Sequence, residues 1–172
     1  DGSIDIVTAE MHQGADPDEV KIYRNGGGGR TWEKRVLSVH GSHNMRIVDV
    51  DGDGDMDLFG ANWGGDHQAI ELWINQVCHW ERHLIDGKKP WRSVFVTSAD
   101  MDGDGLKDII TGGWWYRNPG KPSGTWERRE IGRGAYNMAA VYDFDGDGYL
   151  DVLATAGKDD PTSNTFVWAR ND

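Results

Sequence analysis

Asp49, Asp51, Asp53 and Asp57 take positions one, three, five and nine of the stretch DVDGDGDMD, with Gly54 at six and the Asp55 carbonyl at seven. The pattern returns in DMDGDGLKD as Asp100, Asp102, Asp104, Gly105, the Leu106 carbonyl and Asp108. It returns again in DFDGDGYLD as Asp143, Asp145, Asp147, Gly148, the Tyr149 carbonyl and Asp151. Four carboxylates so close in sequence repel one another unless a cation sits among them. Hard oxygen donors around a glycine that permits a sharp turn suit calcium; magnesium demands a stricter octahedron, keeps its waters and is the second choice. The three complete copies predict three calcium ions. A partial copy, DGSID, opens the chain: Asp1 aligns with Asp53, Gly2 with Gly54 and Asp5 with Asp57. It lacks the first two ligand positions and is not expected to hold an ion by itself.

These loops are not EF-hands, which need a bidentate Glu at position twelve; that position holds Gly60, Thr111 and Ala154. The flanking segments, MRIVDV and FVTSAD before and DLFGA and DIITG after, are short, apolar and β-branched, so each loop joins two strands. Further along each unit come VKIYRN, IELWIN, WWYRN and FVWARN, and then WEKRVL, WERHLI and WERREI. The unit therefore reads as four strands. The complete loops start at 49, 100 and 143, spacings of 51 and 43 residues, which is the length of a β-propeller blade that needs stacked neighbours to bury its faces. Trp32, Trp80 and Trp126 are expected to pack between blades, and the Asn closing each third strand to sit in a turn.

The D-x-D-G-D-G-x-x-D loop followed by an apolar strand resembles the FG-GAP/VCBS repeat of calcium-binding β-propellers, shared by integrin α-subunit heads and many secreted bacterial proteins. The resemblance covers nearly the whole chain. It implies calcium and an all-β propeller; the family spans adhesion modules, lectins and polysaccharide-active enzymes, so it implies no particular reaction.

With 172 residues the chain can bury a sizeable core. Blades are expected at about 1–37, 44–85, 93–131 and 137–171, fourteen strands in all. Propellers have about four to eight complete blades, so these three and a half are expected to be part of a larger ring, completed by the rest of a longer chain, a partner or a second copy. The net charge of −11 is concentrated in the loops, and three calcium ions at +2 each would bring it to −5. No basic stripe speaks for nucleic acid. No run of about 18 apolar residues could span a membrane. The single cysteine, Cys78, excludes an internal disulfide and reads as a packed side chain. Calcium loops can replace disulfides as staples, and extracellular calcium fills weak sites, so a secreted, extracellular or periplasmic location is expected.

The acidic loops share one face of the propeller. The opposite face carries the irregular connections: Glu10, His12, Asp16 and Asp18; Asn62, Trp63, Asp66 and His67; Trp114 and Trp115; Lys158 to Asp160. Between blades come His40, His43 and Asn44; Lys88, Lys89, Trp91 and Arg92; and Arg133, Tyr136 and Asn137. GSHNM and AYNMA place His43 and Tyr136 in equivalent positions. Aromatic faces stack on sugar rings and charged forks hold carboxylates. The leading expectation is a calcium-stabilised, non-catalytic module binding a carbohydrate or a protein on this face. The alternatives are a polysaccharide lyase or sugar dehydratase using His12, His43, His67, Arg92 and Tyr136 as base, acid and carboxylate neutraliser, and a half-ring whose role is assembly.

Overall fold

The computed structural model describes residues 2–66, 68–76, 79–90, 94–157 and 163–172, and among them there is no helix. The described strands form four antiparallel sheets, in each of which sequence neighbours are hydrogen-bonded. The first holds β1 (Ile6–Ala9), β2 (Val20–Asn25) and β3 (Trp32–Ser38), and the second β4 (Asn44–Val48), β5 (Asp57–Ala61), β6 (Ile70–Gln76) and β7 (His79–Asp86). The third holds β8 (Val96–Ala99), β9 (Asp108–Thr111), β10 (Trp114–Arg117) and β11 (Glu127–Glu130), and the fourth β12 (Asn137–Tyr142), β13 (Asp151–Thr155) and β14 (Phe166–Ala169). These are propeller blades, and the ring is not closed within this chain.

The continuous apolar strands sit where two neighbouring sheets cover them. Every residue of β5 and of β9 is buried, as expected for strands packed on both faces. On β6 the side chains divide by period two. Trp73 packs with Val20, Ile22 and Leu58 between the first two sheets. Ile70, Leu72 and Ile74 pack with Ile109, Trp114 and Tyr116 between the second and third. A third cluster, with Met101, Ile110, Met138 and Val152, joins the third sheet to the fourth. Fully burying an aliphatic or aromatic side chain of this size contributes roughly 1.5–3 kcal/mol, so the stack is held chiefly through these three layers.

The tryptophans of the outer strands obey the same direction. Trp80 and Trp126 pack into the layer shared with the preceding sheet. Trp32 departs from the expected interblade role: it is 41% exposed, because no described sheet precedes the first. The Asn closing each third strand does more than turn the chain. Asn118 Oδ1 accepts from the Gly120 amide at 2.9 Å, as a turn residue would. Its Nδ2 donates to the Lys107 carbonyl at 2.9 Å and, across the interface, to the Val50 carbonyl of the second sheet at 3.1 Å. Asn171 Nδ2 likewise reaches Met101 O of the third sheet at 2.9 Å. We expect Asn118→Ala to cost about 2–3 kcal/mol, since it strands buried carbonyls as well as losing hydrogen bonds. Urea denaturation of the variant beside the parent chain measures it.

Candidate metal centre and opposite face

The three complete loops connect β4 to β5, β8 to β9 and β12 to β13, and they fold alike. The first aspartate acts as the hub. Asp49 Oδ1 accepts from Gly52 N at 2.7 Å and Oδ2 from Gly54 N at 3.1 Å. Asp100 repeats this with Gly103 and Gly105, and Asp143 with Gly146 and Gly148. Both glycines of each loop have positive φ, 78° and 93° in the second sheet's loop, a region that a side chain resists. The glycine at position four is thus as much required as the one at position six.

The aspartate at position five accepts from the amide of the residue at position seven: Asp55, Leu106 and Tyr149 donate to Asp53, Asp104 and Asp147 at 2.8, 2.9 and 2.9 Å. The aspartates at position nine, Asp57, Asp108 and Asp151, are fully buried. Each divides its oxygens between two backbone amides. Asp57 takes Val50 N and Asn75 N, both at 2.8 Å. Asp108 takes Met101 N at 3.1 Å and Asn118 N at 2.7 Å. Asp151 takes Phe144 N at 3.2 Å and Asn171 N at 2.9 Å. The aspartate at position nine thus ties the loop to the end of the third strand. In the partial copy Asp5 does the same for Asn25 N, at 2.8 Å, while Asp1 lies outside the described residues.

Carboxylate oxygens converge to within 4.8 Å in three groups: Asp49, Asp51 and Asp53; Asp100, Asp102 and Asp108; Asp143, Asp145 and Asp147. All donors are hard oxygens, the set a calcium or magnesium ion takes. One atom tests the fit directly. Asp51 Oδ1 is buried and has no hydrogen-bond partner among the described residues, a state whose cost a cation would remove. Burial, together with the charge of Asp53, holds the Asp51 carboxyl above its usual range. Burial also raises Asp57 and Asp108, against the pull of their backbone donors. Asp102 moves the other way, because Arg117 donates to it, and Asp151 is lowered first by the Asn171 amide.

At the opposite end of the sheets, His12 and His43 meet on one ring. His12, from the β1–β2 connection, lies edge-on to Trp63 with centroids 5.1 Å apart, and His43 does so at 5.7 Å and 88°. Gly64 and Gly65 admit His12 closely: a Cβ on Gly64 would stand 2.7 Å from its Cε1. His12 Nδ1 is buried with no partner among the described residues. His43 Nδ1 lies 3.3 Å from Val94 O, and Asn44 Oδ1 accepts from Val96 N at 3.3 Å, so this pair also links the second sheet to the third. The equivalence of His43 with Tyr136 holds in the backbone: their amides donate to Ala61 O at 3.2 Å and Thr155 O at 3.0 Å, the last residues of β5 and β13. Glu10 is committed elsewhere, to Lys21 Nζ at 2.6 Å.

One expectation fails here. Trp114 and Trp115 do not lie in a connection on this face. Only Gly112 and Gly113 separate β9 from β10, so both tryptophans enter the strand and pack into successive layers between sheets. His67, Arg92, Trp91, Cys78 and Lys158 to Asp160 lie outside the described residues.

Sequence reasoning gave no weight to Lys89 beyond its place in a loop. Its Nζ donates to Asn62 O at 2.8 Å and to Gln68 O, and burial pushes the ammonium down to about 8, against the opposing charge of Asp86. Between that value and the ordinary lysine range near 10.4 the unfolded chain holds a proton that the folded chain has released. Folding stability contributed by this group therefore rises with pH across that window, and below it the full penalty of burying the charge remains. Lys89→Met should remove the alkaline rise, as read from denaturation midpoints between pH 7 and 10.

The sequence pattern of the FG-GAP-like repeat matches residues 1–60, 49–111 and 100–154, and the chain belongs to that family. Neither curated proteins nor solved structures give a match.

Proposed function

We propose that this chain is a calcium-stabilised extracellular propeller module that binds a carbohydrate or a protein ligand on the face opposite the acidic loops. The observation that carries the ligand face is Trp63 with His12 and His43 edge-on to it, drawn from three separate connections. A partly buried indole bordered by imidazoles offers an apolar plane with polar edges, the surface that stacks on a pyranose ring. Calcium is supported by the hard-oxygen groups of the loops and by the orphaned oxygen of Asp51. An extracellular setting suits this reading, since exposed loops of this kind are filled where calcium is abundant.

A glycan array probed in calcium and again in chelator tests this reading, with Trp63→Ala alongside. Binding in calcium that Trp63→Ala abolishes supports it. No glycan retained in either buffer would sink its carbohydrate form.

A second reading, assembly into a full ring, is favoured by the two outer blade faces. Phe166 and Trp168 on β14 are 63% and 51% exposed, and Ile6 and Val36 of the first sheet are open as well. Apolar faces of this kind call for a cover, which further blades or a second copy would supply. Sedimentation equilibrium distinguishes the two, and a stable monomer of this chain would exclude the second copy.

A further inference from the structure

The residue just before the Asn that closes each third strand is Arg24, Ile74, Arg117 or Arg170. Two of these reach the acidic loop of their own sheet. Arg117 donates through Nε to Asp102 and through Nη2 to Asp104 Oδ2 at 2.9 Å. Arg170 donates through Nε to Asp145 Oδ2 at 2.7 Å and through Nη2 to Asp147 Oδ2 at 3.0 Å. Both guanidinium groups therefore hold one oxygen from the aspartate at position three and one from the aspartate at position five. Among the described residues, no guanidinium or ammonium is paired with the loop of the second sheet in this way. Ile74 points instead into the core between the second and third sheets and is 1% exposed. In that loop Asp51 Oδ1 is buried without a partner of ordinary geometry among the described residues, whereas its counterparts Asp102 and Asp145 each accept a long bond, from Asp104 N at 3.4 Å and Asp147 N at 3.2 Å.

We propose that Arg117 and Arg170 are built-in counter-cations that grade the loops: the second sheet's loop binds a divalent cation most tightly and depends on it, while the third and fourth bind weakly and keep their shape without it. The inference rests on the calcium reading above. A guanidinium on the aspartates at positions three and five takes oxygens that the cation would use, and it places a positive charge beside a dication. At a separation of about 5 Å, even fully water-screened repulsion between them weakens binding roughly tenfold or more. The same ion pairs relieve the crowding of carboxylates that would otherwise distort a metal-free loop. Among the described residues no such relief exists around Asp49, Asp51 and Asp53.

Calcium titration of the demetallated full chain by calorimetry, with parallel hydrogen exchange in chelator, tests the grading. The expected isotherm has one site at least about tenfold tighter than the other two, a separation of the size estimated for the guanidinium charge. Asp51→Asn should abolish the tight site, and Arg117→Gln and Arg170→Gln should each move one weak site toward it. In chelator the amides of Gly52 and Gly54 should exchange faster than those of Gly103, Gly105, Gly146 and Gly148. The arginine variants carry the test, because a charge at Ile74 could unfold the core. Three equal sites, or arginine variants with unchanged affinities, would overturn the grading while leaving calcium binding intact. No uptake of calcium at any site would overturn the calcium reading as well.

Discussion

Asp108→Ala is expected to destabilise the chain by about 3–5 kcal/mol, with or without divalent cations present. The carboxylate is fully buried and holds Met101 N and Asn118 N. Alanine would leave both amides unpaired in the interior, at about 1–3 kcal/mol for each. The two donors lie at opposite sides of the third sheet's loop, one at its entry and one just past β10, so the loop would also lose its tie to the strand. Against a total stability of about 5–15 kcal/mol, such a loss approaches unfolding. Asp108→Asn keeps one acceptor oxygen and removes the charge that burial disfavours, so it should cost much less. Equilibrium denaturation in urea, with chelator throughout, separates the two variants; an alanine variant as stable as the parent would show that the two amides find other partners.

The blades were legible because the signal repeats. A glycine-bearing acidic loop between two apolar runs recurs at nearly fixed spacing, and no helix period competes with it. Which way a side chain points was less legible. Trp114 and Trp115 read as loop aromatics because a two-glycine connection leaves no gap in the sequence between one strand and the next. Trp32 looks identical to Trp80 and Trp126 in its WE context; its exposure depends on whether another sheet precedes it. That the aspartate at position nine also holds two backbone amides was not legible, since spacing marks a ligand position but not what else its oxygens accept. The alternation of Arg24, Ile74, Arg117 and Arg170 was visible in the repeat, but its meaning required knowing that this position overhangs the loop. Trp63 meets His12 and His43 only through the fold, as three connections from two sheets converge there, and no local period announces such a meeting.

Stripping divalent cations should lower the melting temperature by about 15–25 °C, the largest single effect expected of this molecule. An ion at a hundredfold excess over its dissociation constant stabilises the folded state by about 2.7 kcal/mol, provided the unfolded chain does not bind it. Three filled loops would together supply about 8 kcal/mol by that relation. For a chain of this size each kcal/mol moves the midpoint by about 2–4 °C. The weaker loops would be only partly filled at moderate calcium, which brings the expected shift toward the lower part of the resulting range. The loss should not spread evenly. The second sheet lies between two core layers, contributing Leu58 and Trp73 to one and Phe59, Leu72 and Ile74 to the other. Its loop is also the one without a guanidinium. Loosening there would weaken both layers at once, so unfolding in chelator should remain a single transition rather than a stepwise peeling from the fourth sheet. Differential scanning calorimetry with and without chelator reads both the size and the number of transitions. A midpoint unmoved by exhaustive chelation would mean that hydrogen bonds and arginines alone stabilise these loops, and that no ion is needed.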